Sequence, residues 1–210
     1  MAVGERVRQA FGPLEGVVTD LYRASFVSLD REIETIQRWR PTARRILEVG
    51  CGEGAVCERL ARRYPEARIT GIDITPRTGR LFKGDTARVT FRTEALEEFT
   101  PRHEAAFDLV LLCDVLHHVS WDRHEGLLRL VKRTIRPGGG FAFKEWERRT
   151  NLAHALNYFS DRVLTGDRVR YGTKADWRHT IESIFGVGSI TGEWHVPPWP
   201  NNILLLVDVP

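Results

Sequence analysis

Three features of this chain have residue types and spacing that could do chemistry. The first is a glycine turn, Glu48-Val49-Gly50-Cys51-Gly52-Glu53-Gly54. Glycines at alternate positions let a backbone approach a ligand closely and adopt conformations closed to other residues. A helix starting just after them presents unpaired N–H groups. The second is Asp73, nineteen positions after Gly54. A carboxylate at that place can accept both hydroxyl protons of a ribose, so turn and acid together read as a nucleoside site. The same residues could instead make only a turn and a helix cap. Position favours the site: the glycines follow a first strand and the acid ends a second. The third is the pair His117-His118. Histidine is the side chain whose unperturbed pKa suits proton transfer near neutrality. Neighbours on a loop face different ways, so one of the pair would meet a substrate. Capping of the next helix, or packing under a lid, is the other reading of both.

The elements that must position these residues follow from hydrophobic periodicity. Residues 1–43 read as helical, with Leu29, Ile33 and Ile36 at helical spacing and Pro41 closing the run. Ile46–Val49 is a short apolar strand ending in the glycines, and Ala55–Tyr64 a helix with Val56, Leu60 and Tyr64 on one face. Arg68–Ile72 is a second strand, followed by a short helix capped by Thr75 with Pro76 in its first turn. Ala87–Phe91, Phe107–Leu112 and Gly140–Lys144 read as the third to fifth strands, with a helix over Trp121–Ile135. An inserted helix is expected at 150–164. Thr173 and Asp176 match a capping box for a helix reaching Phe185. Gly188–Val196 and Asn202–Val209 are joined by a loop too short for a helical crossover, so the last strand runs antiparallel. Alternating strands and helices predict an α/β fold, a doubly wound and mostly parallel sheet of seven strands.

Composition narrows the function classes. The 210 residues suit one α/β domain, which buries about 70% of its unfolded surface and needs no staples. A net charge of +3, spread over single arginines, gives no nucleic-acid platform. Cys51, Cys57 and Cys113 include no CxxC pair, which argues for free thiols in a reducing cytoplasm and against zinc. No apolar run is long enough to span a bilayer. Met1 to Arg8 leads into no apolar stretch, so no signal peptide is expected, and no acidic cluster for magnesium stands out, so no metal is expected.

The compact spacing Gly50-x-Gly52-x-Gly54 after Ile46-Leu47-Glu48-Val49 resembles motif I of the class I S-adenosylmethionine (SAM)-dependent methyltransferases. The run Phe107–Val119 looks like that family's fourth strand and following loop. Leu127–Gly139, ending Ile135-Arg136-Pro137-Gly138-Gly139, looks like the helix and turn before the fifth strand. The resemblance covers roughly residues 45–145 and implies a small-molecule methyltransferase with SAM as cofactor. It implies that Gly50, Cys51, Gly52 and Gly54 surround the methionine and ribose, and that Glu48 reaches the methionine ammonium. Asp73 would hold the ribose, with Ile74 against the adenine and Glu94 and Ala95 at its edge. Cys113 and Asp114 would border the methionine end. In similar O-methyltransferases the first His of such a pair and an acid after the fifth strand are base and partner, which points to His117 and Glu145, with His118 as the competing base.

Phe11, Tyr22 and Phe26 before the first strand, and Trp146, Tyr158 and Phe159 after the fifth, lie in regions that cover the substrate in this family. Each is also plain core material; together they favour an apolar or aromatic acceptor. Cys113-Asp114-Val115-Leu116 stands where amino methyltransferases of nucleic-acid bases carry an Asn-Pro-Pro-Tyr-like tetrad, so no nucleic-acid substrate is expected. O-methylation of a small hydroxyl compound, in secondary metabolism, is the leading reading. The alternative is a SAM-binding enzyme of the same fold that catalyses cyclisation or isomerisation. A nicotinamide oxidoreductase is disfavoured by the glycine spacing, and a non-catalytic partner subunit by the intact cofactor motifs. The domain reading is a single unit over 1–210: a helical lid at 1–43, a SAM-binding core at 44–145, an insertion and last helix at 146–186, and a strand hairpin at 187–210.

Overall fold

The computed structural model describes residues 26–151, 154–155 and 169–210. Phe11, Tyr22, Tyr158 and Phe159, and most of the helix expected at 150–164, lie outside the described residues. Five helices and seven strands organise the rest. They are α1 (Leu29–Trp39), β1 (Arg45–Val49), α2 (Ala55–Arg63), β2 (Arg68–Asp73), β3 (Val89–Thr93), α3 (Leu96–Phe99) and β4 (Phe107–Cys113). Then come α4 (His124–Thr134), β5 (Ile135–Trp146), α5 (Lys174–Phe185), β6 (Ile190–His195) and β7 (Asn202–Asp208).

The strands form one sheet in the order β3-β2-β1-β4-β5-β7-β6. The pairs from β3 through β5 are parallel, and β7 runs antiparallel to both β5 and β6, as the short Pro-rich loop requires. Strand alternation sends side chains to two cores. Leu47, Val110, Phe141, Phe143 and Leu205 meet Leu128 of α4 and Trp177 and Ile181 of α5. Ile46, Leu109, Leu111, Ala142 and Leu204 meet Ile33 and Ile36 of α1 and Leu60 of α2. Covering both faces is what makes Leu109–Leu112 a continuous apolar run.

Four boundaries depart from the sequence reading, and one is the fifth strand, which starts at Ile135 rather than Gly140 and runs to Trp146. No helix follows Thr75. The chain turns instead, because Gly79 takes a left-handed φ of 71° and its N–H bonds the Gly52 carbonyl at 2.9 Å. The third strand lies two residues later than Ala87–Phe91. The fourth helix is preceded by a separate 3-10 turn over Trp121–Arg123.

Helix α5 starts as expected. Thr173 Oγ1 accepts from the Asp176 N–H at 3.2 Å, and the Thr173 N–H donates to Asp176 Oδ2 at 2.8 Å. Thr173→Ala should therefore lower the unfolding free energy by about 1 kcal/mol. Urea denaturation measures this; an unchanged midpoint would show that the cap contributes nothing.

Candidate active site

The strand order places the site. From β1 the chain moves to β2 and β3 on one side, then returns to β4 on the other. The crevice at the carboxyl ends of β1 and β4 is left open, and ligands bind there in sheets of this kind. The glycine turn forms its floor. Gly50, Gly52 and Gly54 all have positive φ, at 74°, 50° and 95°. A Cβ on Gly50 would lie 2.3 Å from Val115 Cγ2, whereas one on Gly52 would meet nothing within 4 Å. Gly50 thus lets the loop after β4 close on the turn, and Gly52 leaves backbone open to a ligand. The Gly50 and Cys51 N–H groups bond the Ile72 carbonyl at 2.8 and 3.0 Å, tying the turn to β2.

Asp73 stands at the end of β2. It accepts from the Gly52 N–H at 2.7 Å and the Thr75 N–H at 2.8 Å, one on each oxygen. Asp73 thereby braces two turns, and each oxygen keeps a further lone pair. Ile74 beside it is 78% exposed, an apolar surface next to a polar one. The Glu94 N–H bonds the Asp73 carbonyl at 3.0 Å, which brings Glu94 and Ala95 to the same edge. The Glu94 carboxylate is already engaged by Arg102, with Arg92 at 3.7 Å.

At the end of β4, Asp114 adopts a left-handed φ of 55°, rare for a residue with a Cβ. Lys144 of β5 holds it twice: the Asp114 N–H donates to the Lys144 carbonyl at 2.9 Å, and the buried Lys144 ammonium donates to Asp114 Oδ2 at 2.6 Å. Burial alone would lower the Lys144 pKa; Asp114 and Glu32 outweigh it and raise it.

His117 and Glu145 are brought together in the interior. His117 Nδ1 lies 2.7 Å from Glu145 Oε2, and the Leu116 N–H donates to Glu145 Oε1 at 2.6 Å. Burial would raise the Glu145 pKa, but His117, Lys144 and the Leu116 N–H overcome it and hold the carboxyl below its usual range. An ionised carboxylate only accepts, so Nδ1 carries the shared proton and Nε2 of the neutral ring keeps the basic lone pair. His124 Nε2 donates to the Leu116 and Val119 carbonyls at 2.9 and 3.0 Å, fixing the 3-10 turn that carries His117. Tyr171 stacks on His117 at 5.1 Å. His118 is exposed, its ring 4.1 Å from that of His117.

Among the described residues, Asp114, His117 and Glu145 place possible metal-ligand atoms within 4.8 Å of one another. The Nδ1–Glu145 bond and the Lys144 ammonium already use these groups.

Glu48 and Glu32 line the opposite face of the sheet end. Burial pushes the Glu48 carboxyl up to about 8, with the Cys57 thiol and N–H opposing the rise. Burial likewise lifts Glu32 to about 7, against the pull of Lys144. Glu48 Oε2 is buried without a hydrogen-bond partner. That orphaned acceptor, with the open Gly52 backbone, fits the ammonium end of SAM. Reasoning from sequence missed Glu32, Lys144, His124 and Tyr171. Glu32 alone left a signal, an acid on the apolar stripe of Leu29, Ile33 and Ile36.

Comparisons with known proteins place the chain in a family. A family model described as a methyltransferase domain matches residues 46–139. A ubiquinone biosynthesis O-methyltransferase of Xanthomonas campestris pv. campestris is 31% identical over 175 residues, covering 77% of this chain and 70% of that protein. One from Xanthomonas axonopodis pv. citri is 31% identical over 123 residues, covering 57% of this chain; the chain spans only about half of its length, 49%. The solved structure of Burkholderia thailandensis 1,6-didemethyltoxoflavin-N1-methyltransferase superposes with a TM-score of 0.68 at 18% identity, covering 100% of this chain and 91% of that one. The chain belongs to the class I SAM-dependent methyltransferases, and SAM is the cofactor.

The buried acids have a measurable consequence in the cofactor-free protein. The unfolded chain releases these protons near 4.5, whereas the folded protein keeps them to about 7 and about 8. Stability should therefore fall as pH rises through that window, by up to about 1.4 kcal/mol per pH unit for each retained proton. Glu48→Gln removes one such proton and should flatten the decline. Urea unfolding at about pH 5.5 and about pH 8 tests this; an identical pH dependence in the variant would refute it.

Proposed function

We propose that this protein methylates a hydroxyl group of a small apolar or aromatic molecule, an O-methylation belonging to secondary metabolism. The observation that carries this reading is the buried hydrogen bond between His117 Nδ1 and Glu145 Oε2 at 2.7 Å. A hydroxyl is a weak nucleophile until its proton is removed, and base assistance is worth roughly 10²–10⁴ in rate. His117 takes that proton on Nε2. Glu145 fixes the tautomer and stabilises the imidazolium that forms. The names of the relatives from Xanthomonas, ubiquinone biosynthesis O-methyltransferases, support oxygen as the acceptor.

Bound SAM supplies the methyl group, activated by its sulfonium. Gly50, Cys51, Gly52 and Gly54 cradle its ribose and methionine, and Asp73 receives the ribose hydroxyls. Ile74, Glu94 and Ala95 border the adenine, while Glu48, Cys113 and Asp114 close the methionine end. Phe26, Trp146, Val169 and Tyr171 form an apolar cluster separate from the two main cores, which supports an apolar acceptor on the His117 side. Residues 1–210 act in this reading as one methyltransferase unit, with the lid and insertion covering the acceptor.

Two measurements test the assignment. Incubation with SAM and a panel of phenolic acceptors should give a product heavier by one methylene equivalent; turnover without that gain would favour a non-methylating reaction. His117→Ala should lower kcat by about 10²- to 10⁴-fold while leaving affinity for S-adenosylhomocysteine unchanged. Full turnover in that variant would remove His117 as the base.

A further inference from the structure

Glu32 is the least expected residue of the site. It sits on the buried stripe of α1 between Leu29 and Ile36, with no exposed surface. Among the described residues neither carboxylate oxygen makes a hydrogen bond of ordinary geometry, and only the Cys113 thiol, a weak donor, lies beside them. Charged and titratable groups face it from three strands: Glu48 from β1, Cys113 and Asp114 at the end of β4, and Lys144 from β5. The Lys144 ammonium donates to Asp114 Oδ2 at 2.6 Å and acts on Glu32 through its charge without hydrogen-bonding it. Among the described residues the two oxygens of Glu32 and Oε2 of Glu48 are thus buried together without a hydrogen bond.

Such an arrangement is costly in an interior, where a buried acceptor ordinarily finds a donor, a water or a ligand. Once Glu32 and Glu48 ionise, their buried oxygens need donors and the group carries excess negative charge, since the single Lys144 ammonium is shared with Asp114. A primary ammonium answers both conditions: it bears three N–H donors, no acceptor and a positive charge. The ends of β1 and β4 that frame Glu32 are the ends that frame the methionine portion of the cofactor in the proposed site.

We propose that Glu32 is a second carboxylate of the cofactor's amino-acid pocket, delivered by α1, and that it holds the α-ammonium of SAM jointly with Glu48. The proposal rests on SAM being the cofactor and adds a binding residue from the segment preceding the glycine turn. It also explains why an acid occupies a helical stripe otherwise given to leucine and isoleucine.

Calorimetric titration with S-adenosylhomocysteine and with 5′-methylthioadenosine, which lacks the amino-acid portion, tests it. In Glu32→Gln, affinity for S-adenosylhomocysteine should fall about 10- to 100-fold, the range of one charge-assisted hydrogen bond. Affinity for methylthioadenosine should stay within about twofold. Glu32→Met should raise the melting temperature of the cofactor-free protein while weakening S-adenosylhomocysteine in the same way, which separates binding from folding. Equal losses for both ligands, or no loss for either, would overturn the role of Glu32. If folded wild-type protein fails to bind S-adenosylhomocysteine, the cofactor assignment itself falls and the Glu32 proposal with it.

Discussion

The strand order imposes the constraint from which the site follows. Beside β1 the chain travels first toward β2 and β3, and later arrives at β4 on the opposite side. Connections leaving in opposite directions cannot cover the strand ends between them. The glycine turn after β1 and the loop after β4 are therefore forced to face each other. Gly50 lets them meet, since any side chain there would strike Val115. Asp73 then links the turn to β2 through the Gly52 N–H. The cofactor crevice is a product of topology, refined by three or four local contacts.

Strand alternation divides the work within that crevice. Lys144 and Glu145 are adjacent on β5 and so point to opposite faces of the sheet. Lys144 braces Asp114 on the face covered by α1, where the cofactor's charged end is proposed to lie. Glu145 holds His117 on the other face, against Tyr171 and the small apolar cluster. One dipeptide at the end of one strand thus supports both the proposed binding pocket and the proposed base, and the two remain electrostatically coupled because Lys144 also helps keep Glu145 ionised.

What the sequence disclosed was what local spacing encodes. The glycines, Asp73 and the histidine pair stand at short intervals next to recognisable strands, and the capping box at Thr173 is complete within four residues. The antiparallel last strand followed from loop length. The pairings of Asp114 with Lys144 and of His117 with Glu145 depend on the register of β4 against β5, which no local pattern reveals. Glu145 was reachable only through family resemblance. Glu32 was hidden because its neighbours at helical spacing are apolar, so the stripe read as ordinary core. The short helix expected after Thr75 failed for a local reason that was present but outweighed: Gly79 can leave the helical region, and its bond to Gly52 makes it do so.

In the proposed pocket the buried acids make the stability of the fold depend on its ligand. Glu32 and Glu48 stand where leucine or methionine would stabilise the fold, and three of their four carboxylate oxygens are buried without a hydrogen bond among the described residues. A ligand that supplies the missing donors stabilises the folded state by the logarithm of its concentration relative to its dissociation constant. Helix α1 is the element most affected, because it carries Glu32 and is anchored at its start by the Ser28 N–H bond to the Pro197 carbonyl at 2.7 Å.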